Sequence, residues 1–120
     1  MTKVSEMTND ELSECLAIEV MGWEYRKKYE SYYRWVDSKN YELVCGKAEW
    51  NPAKDTNQTF ECANKLCNNK GGRYWGIRIS PYIDGYFAEF HSKQEEIFRA
   101  CRNHPARALS EAVLMAKRNE

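Results

Sequence analysis

Residues 74–91 read Tyr74-Trp75-Gly76-Ile77-Arg78-Ile79-Ser80-Pro81-Tyr82-Ile83-Asp84-Gly85-Tyr86-Phe87-Ala88-Glu89-Phe90-His91. Trp75, Ile77 and Ile79 alternate with Gly76, Arg78 and Ser80, the period-2 pattern of a strand with one apolar face. Pro81 is expected to stop that strand, and Asp84-Gly85 signals a turn. Tyr86, Ala88 and Phe90 then share one face of a returning strand. The stretch predicts an antiparallel hairpin, and the rest of the chain reads as what covers it.

Upstream lies a second hairpin signal. Tyr32 begins a strand, Asp37-Ser38-Lys39-Asn40 is a turn cluster, and Tyr41, Leu43 and Cys45 alternate on one face. Residues 24–31 fit either state, because their aromatics favour strand while Tyr25, Tyr29 and Tyr32 also fall on one helical face. Helices surround the hairpins. Thr8-Asn9-Asp10-Glu11 has the form of a capping box, and Leu12, Cys15, Leu16 and Val20 repeat behind it at helical spacing, predicting a helix over 9–21 that Gly22 ends. Trp23 is expected to fold back on the same face. Asp55 caps a second helix with Thr59, Phe60, Ala63, Leu66 and Cys67 on one side, ended by residues 68–72. Ser92-Lys93-Gln94-Glu95 is a second capping-box pattern and predicts a short helix to Cys101 with Ile97, Phe98 and Cys101 inward. Pro105 suits the first turn of a last helix, whose stripe is Ala106, Leu109, Ala112, Val113 and Ala116.

The expected fold class is therefore α+β: one domain over residues 1–120, in the order α-ββ-α-ββ-α, with a mainly antiparallel sheet of about four strands covered by helices. No β-α-β crossover with a Gly-rich phosphate loop is legible, which argues against a Rossmann unit. Lys plus Arg and Asp plus Glu balance at 18 each. That excludes the acidic excess of a DNA mimic and the basic excess of a binder resting on many phosphate contacts. With 42% hydrophobic and 13% aromatic residues the chain reads as folded. No apolar run approaches the ~20 residues that span a bilayer, so no membrane partner is expected. Five cysteines without a secretion signal point to free thiols in a reducing compartment.

Four stretches together resemble the phage ABA sandwich domain family, small phage and prophage proteins of unknown function. They are Thr8-Asn9-Asp10-Glu11-Leu12 leading to Val20-Met21-Gly22-Trp23; Trp50-Asn51-Pro52-Ala53-Lys54-Asp55; Trp75-Gly76-Ile77-Arg78-Ile79; and Pro105-Ala106-Arg107-Ala108-Leu109. These motifs mark caps, packing tryptophans and core faces, with no shared active site to carry over. Residues 24–48 depart from the pattern, being more basic and richer in Tyr. The resemblance implies helix–sheet–helix layers and a phage or prophage protein in the bacterial cytoplasm.

The main candidate surface is basic and aromatic: Tyr25, Arg26, Lys27, Lys28, Tyr29, Tyr32, Tyr33 and Arg34. Such residues are enriched in protein hot spots, and they can also neutralise phosphates and stack on bases. The plain structural alternative is a twisted strand with rings inward and bases solvated. No metal site is expected: Cys62 and Cys67, five apart, lie ~140° apart on a helix, and His91 and His104 have no ligand-spaced partner. Cys101 with His104 or His91 could form a nucleophile pair, but a helix-buried thiol is inert. Glu95 and Glu96, like Glu11, Glu14 and Glu19, read as solvated acids. Asn69-Lys70-Gly71-Gly72-Arg73 sits at the wrong end of its helix for a phosphate cradle. The leading expectation is a non-enzymatic phage accessory protein, without cofactor, that binds a host protein in a host-takeover or counter-defence role. The alternatives are a small-ligand or nucleotide-sequestering protein that adds Arg78 or Arg73 to the same basic residues, and a single-stranded nucleic-acid binder. Homo-oligomers would follow if Tyr-rich strands pair at their edges.

Overall fold

The structure, a computed structural model, describes residues 3–27, 33–39, 43–46, 49–68, 74–93 and 95–119. They form helices α1 (Asn9–Cys15), α2 (Thr56–Cys67) and α3 (Pro105–Arg118). The strands are β1 (Trp23–Lys27), β2 (Tyr33–Asp37), β3 (Leu43–Gly46), β4 (Tyr74–Tyr82), β5 (Gly85–Ser92) and β6 (Ile97–Arg102). They pair antiparallel in two sheets, β1-β2-β3 and β4-β5-β6. The α+β class and the antiparallel pairing are those expected; the count and order of strands are not.

Three differences account for this. Residues 24–27 are strand, and 28–31 lie outside the described residues. β4 runs through Pro81 to Tyr82, with Pro81 opposite Tyr86, because proline is tolerated on an edge strand whose outer side needs no donor. Residues 97–102, expected to be helical with Ile97 and Cys101 inward, are strand β6. Ser92 and Glu96 close the β5–β6 turn: Ser92 N donates to Glu96 O at 3.0 Å, and Glu96 N donates to Ser92 Oγ at 3.1 Å. Glu95 takes the left-handed φ of 66° that this turn demands. The apparent capping box is therefore a hairpin loop. With period 2 in force, Phe98 and Ala100 point to the core while Ile97, Arg99 and Cys101 point away.

The other local signals take their expected form. Thr8 and Glu11 make the reciprocal capping box, each backbone N donating to the other's side chain at 3.1 Å. The first helix then widens into a π turn over Leu16–Val20 and stops at Gly22, whose φ of 74° favours glycine. Asp55 caps α2 by accepting from Gln58 N. The buried side of α2 is Thr59, Cys62, Ala63 and Leu66; Phe60, expected inward, is exposed, because a stripe at 59, 62, 63 and 66 leaves position 60 off its axis. The Asn69–Arg73 turn and Tyr41 lie outside the described residues.

α3 is the hub. It packs on β5 and β6 on one side and on α1 and α2 on the other. Ala106, Ala108, Leu109, Ala112, Val113, Leu114 and Ala116 are all buried, so apolar residues surround the helix where the sequence showed a single stripe. The loop Trp50-Asn51-Pro52 locks the helices together. Trp50 Nε1 donates to Ser13 O at 2.9 Å, and its ring meets Trp23 edge-on at 4.5 Å. Thr59 and Ser110 both donate to Pro52 O, which satisfies hydroxyls that would be costly to bury unpaired. Ala88 and Phe90 of β5 face this core, and among the described residues no helix packs on the opposite face of β4–β6: Ile97 is 51% exposed there, and Arg99 and Cys101 are also exposed. The helices thus lie on one side of the sheet, in contrast to the helix–sheet–helix layering that the resemblance implied. Of the outward residues of β6, Arg99 is charged and Cys101 is small, while Ile97 leaves apolar surface open to solvent.

Candidate functional site

Of the residues expected to form the binding surface, Lys28, Tyr29 and Tyr32 lie outside the described residues, and Arg26, Lys27, Tyr33 and Arg34 are described through backbone pairing alone. That pairing sets Arg26 opposite Arg34, Lys27 opposite Tyr33 and Tyr25 opposite Trp35. Tyr25 packs on the core, its ring tilted 49° on Trp35 with centroids 4.9 Å apart. It serves packing at least in part.

The open face of β4–β6 presents a different constellation. The register places Arg78, Glu89 and Arg99 side by side across the three strands, and Ser80, Phe87 and Cys101 in the next row. Arg99 Nη2 donates to Glu89 Oε2 at 2.8 Å, and Arg78 Nη1 stands 3.9 Å from Glu89 Oε1. Both guanidiniums lie over the Phe87 ring, each with Cζ 5.6 Å from its centroid, a cation–π arrangement. The Glu89 side chain is 4% exposed, whereas those of Arg78 and Arg99 are 65% and 58% exposed. The hydrogen bond from Arg99 holds the Glu89 carboxyl below the usual glutamate range despite its burial, with the charges of Arg99, His91 and Arg78 adding to the effect. Two rows of one three-stranded sheet therefore hold two guanidiniums over an aromatic ring, with Ile97 alongside and Tyr82 and the fully exposed Ile83 at the β4–β5 turn.

A second Arg–Glu–Arg group lies on the other side of the sheet. Glu111, 2% exposed, accepts from Arg102 Nε at 2.6 Å and from Arg107 Nε at 2.7 Å. The remaining donors of these arginines go to the chain itself: Arg107 to Met7 O, Val4 O and Asn9 Oδ1, and Arg102 to Cys101 O and Ser5 O. A groove of about 450 Å3 opens beside them, lined also by Lys54, Asn103 and His104. Its arginines are engaged in fastening the N-terminal segment to α3.

The candidate nucleophiles separate in space. Cys62 is buried, and burial pushes its thiol far up; Cys15, Cys45 and Cys67 are also raised, desolvation being the first cause in each. Cys101 is exposed, on the open face of a strand and not buried in a helix as expected. His104 caps α3, its Nδ1 accepting from Ala106 N at 3.1 Å. His91 is half-buried on the face that Cys101 shares, one row beyond Glu89. Of the acids, Glu11 is committed to its cap and Glu19 to a bidentate pair with Arg118 at 2.9 and 3.0 Å. Among the described residues no cluster of three or more His, Cys, Asp or Glu side chains could hold a metal ion, and no helix is long and apolar enough to cross a membrane.

The open-face group escaped sequence reasoning because its members come from three segments, one of them assigned to helix. The only sequence signal was the charge at alternate positions of the hairpin, Arg78 and Glu89, which are cross-strand partners once the Asp84-Gly85 turn sets the register. Comparison of the chain with protein-family models, with curated proteins and with solved structures finds no match.

Proposed function

We propose that this protein acts by binding a protein partner through the open face of β4–β6, and that the partner presents carboxylates around an apolar patch. The observation that carries the reading is the pair of guanidiniums held over Phe87 by one buried carboxylate. Arginine is a preferred hot-spot residue, and a guanidinium already fixed in place loses little rotamer entropy on binding. Each keeps donors free in a planar fork suited to a carboxylate. Ile97 and Phe87 supply apolar area between the charges. Non-enzymatic action, a phage or prophage origin and a host protein as the partner, in a counter-defence role in the bacterial cytoplasm, complete the proposal; they rest on the family resemblance and on the absence of a recognised catalytic constellation from the sequence.

Cys101 offers a direct test, since it is an exposed thiol in the row beside Arg99. A photo-crosslinker attached there should capture a discrete host protein, and Arg78→Gln/Arg99→Gln should abolish capture while leaving the circular dichroism spectrum unchanged. Charge reversal at Lys27, on the first sheet, and at Lys28 is the counter-arm. Capture that survives the arginine substitutions, or that disappears only with the lysine reversals, places the interface elsewhere and overturns the reading.

A further inference from the structure

The sheet β4-β5-β6 has two edges, and they are finished differently. β4 carries Pro81, which has no N–H to offer a further strand. β6 carries neither proline nor lysine, the residues that commonly protect an edge. Both ends of the β5–β6 ladder fix which way its backbone groups point. Ser92 N donates to Glu96 O at 3.0 Å, and Arg102 O stands so near Gly85 that a Cβ there would lie 2.5 Å from it. The pairing between these ends is unbroken, so the backbone groups of Phe98, Ala100 and Arg102 turn to β5 and those of Ile97, Arg99 and Cys101 turn outward. Cys101 O accepts from Arg102 Nη1 at 2.6 Å, as a carbonyl outside the ladder can. Among the described residues the N–H groups of Ile97, Arg99 and Cys101 have no partner.

The same three residues turn their side chains to the open face. The row through Arg99 already alternates in charge across the sheet, as Arg78, Glu89 and Arg99. The next place in that row lies beyond the edge, where a carboxylate would meet the exposed side of Arg99 and continue the alternation. Ile97 and Cys101 stand two residues to either side of Arg99 on this face, so the neighbours of that acid should be apolar. A second copy of this chain fits badly. Two antiparallel β6 strands paired over most of their length set Arg99 opposite or diagonal to its own counterpart, like charge near like charge.

We propose that the protein partner adds an extended strand to the β6 edge, with an acid opposite Arg99 and apolar residues two places before and after it. This rests on the binding role of the open face and specifies the form of the segment that docks there. The probe is the peptide acetyl-Thr-Val-Thr-Glu-Thr-Val-Thr-amide, titrated into the isotope-labelled intact chain and followed by NMR. The amide signals of Ile97, Arg99 and Cys101 should shift more than those of β4. N-methylation of the glutamate and valine amides, which would face β6, should weaken binding about tenfold or more. The same change at the inner threonines, whose amides face away, should alter it little. Arg99→Gln should weaken binding about threefold, because the backbone bonds remain. No binding at millimolar peptide, or equal losses from the two methylations, overturns the strand addition. Neither result bears on capture through Cys101, which tests the open face itself. Self-association of the chain that protects the same three amides from hydrogen exchange without peptide would also overturn it, by assigning the edge to a second copy.

Discussion

Glu111 and Glu89 are each bracketed by two arginines, yet the guanidiniums around Glu111 direct their remaining donors to backbone carbonyls and the Asn9 side chain, while those around Glu89 turn most of their surface to water. The buried group joins the 3-10 turn at Val4–Glu6, the entry to α1 and the end of β6 to α3, elements that meet only in the folded chain. The open group joins three strands that the backbone ladder already pairs. Two groups of the same composition thus differ in what depends on them: removing a member of the first leaves charge and carbonyls stranded in the interior, and removing a member of the second leaves an intact sheet with fewer donors on its face.

The largest expected break is Glu111→Ala, which strands Arg102 and Arg107 and should cost about 3–5 kcal/mol in urea unfolding. A loss within the error of the measurement would remove the structural assignment. Next comes Gly85→Ala. A Cβ there would stand 2.5 Å from Arg102 O, so the backbone that carries Arg102 must shift. We expect a loss of about 1–3 kcal/mol, with hydrogen exchange quickening at the N-terminal segment held by Arg102 and Arg107. A uniform change across the chain would show that the strain does not reach the buried group. Arg78→Ala should cost under about 1 kcal/mol because its side chain is largely exposed, while partner capture through Cys101 falls sharply. A stability loss as large as that of Glu111→Ala would make the two groups alike.

The smallest effect is the pH dependence of the open group. The folded-state pKa of Glu89 lies below the ordinary 4.5, with the Arg99 hydrogen bond as first cause. Its ionised form therefore stabilises the fold above that value, and the contribution is lost as pH falls through the depressed folded value. The parent should lose urea resistance on the acid side of 4.5 more steeply than Glu89→Gln. Parallel curves would mean that Glu89 contributes nothing through its charge. Glu19, depressed chiefly by its hydrogen bond from Arg118, follows the same sign and serves as an internal comparison.

The open face was half legible. Arg78 and Glu89 fall at positions that the Asp84-Gly85 turn pairs, so their adjacency could have been read; Arg99 could not. Over six residues, Ile97, Phe98 and Cys101 suit a helical stripe as well as Phe98 and Ala100 suit an alternating one. The tie was broken wrongly by Ser92 and Glu95, since a serine with an acid three residues on satisfies a helix cap and a hairpin loop alike.

The amino-acid order alone determined what depends on neighbours a few residues away: the Thr8/Glu11 box, the Asp55 cap, Pro105 opening α3, and the alternation of β4 and β5. Caps and turns close within one turn of backbone, so their chemistry is written next to them. Tertiary structure alone decided that β6 is a strand, that α3 is buried on all sides, and that one Arg–Glu–Arg group is interior and the other open. Those outcomes depend on which distant surface covers a segment, and burial, not local propensity, sets the larger free energy.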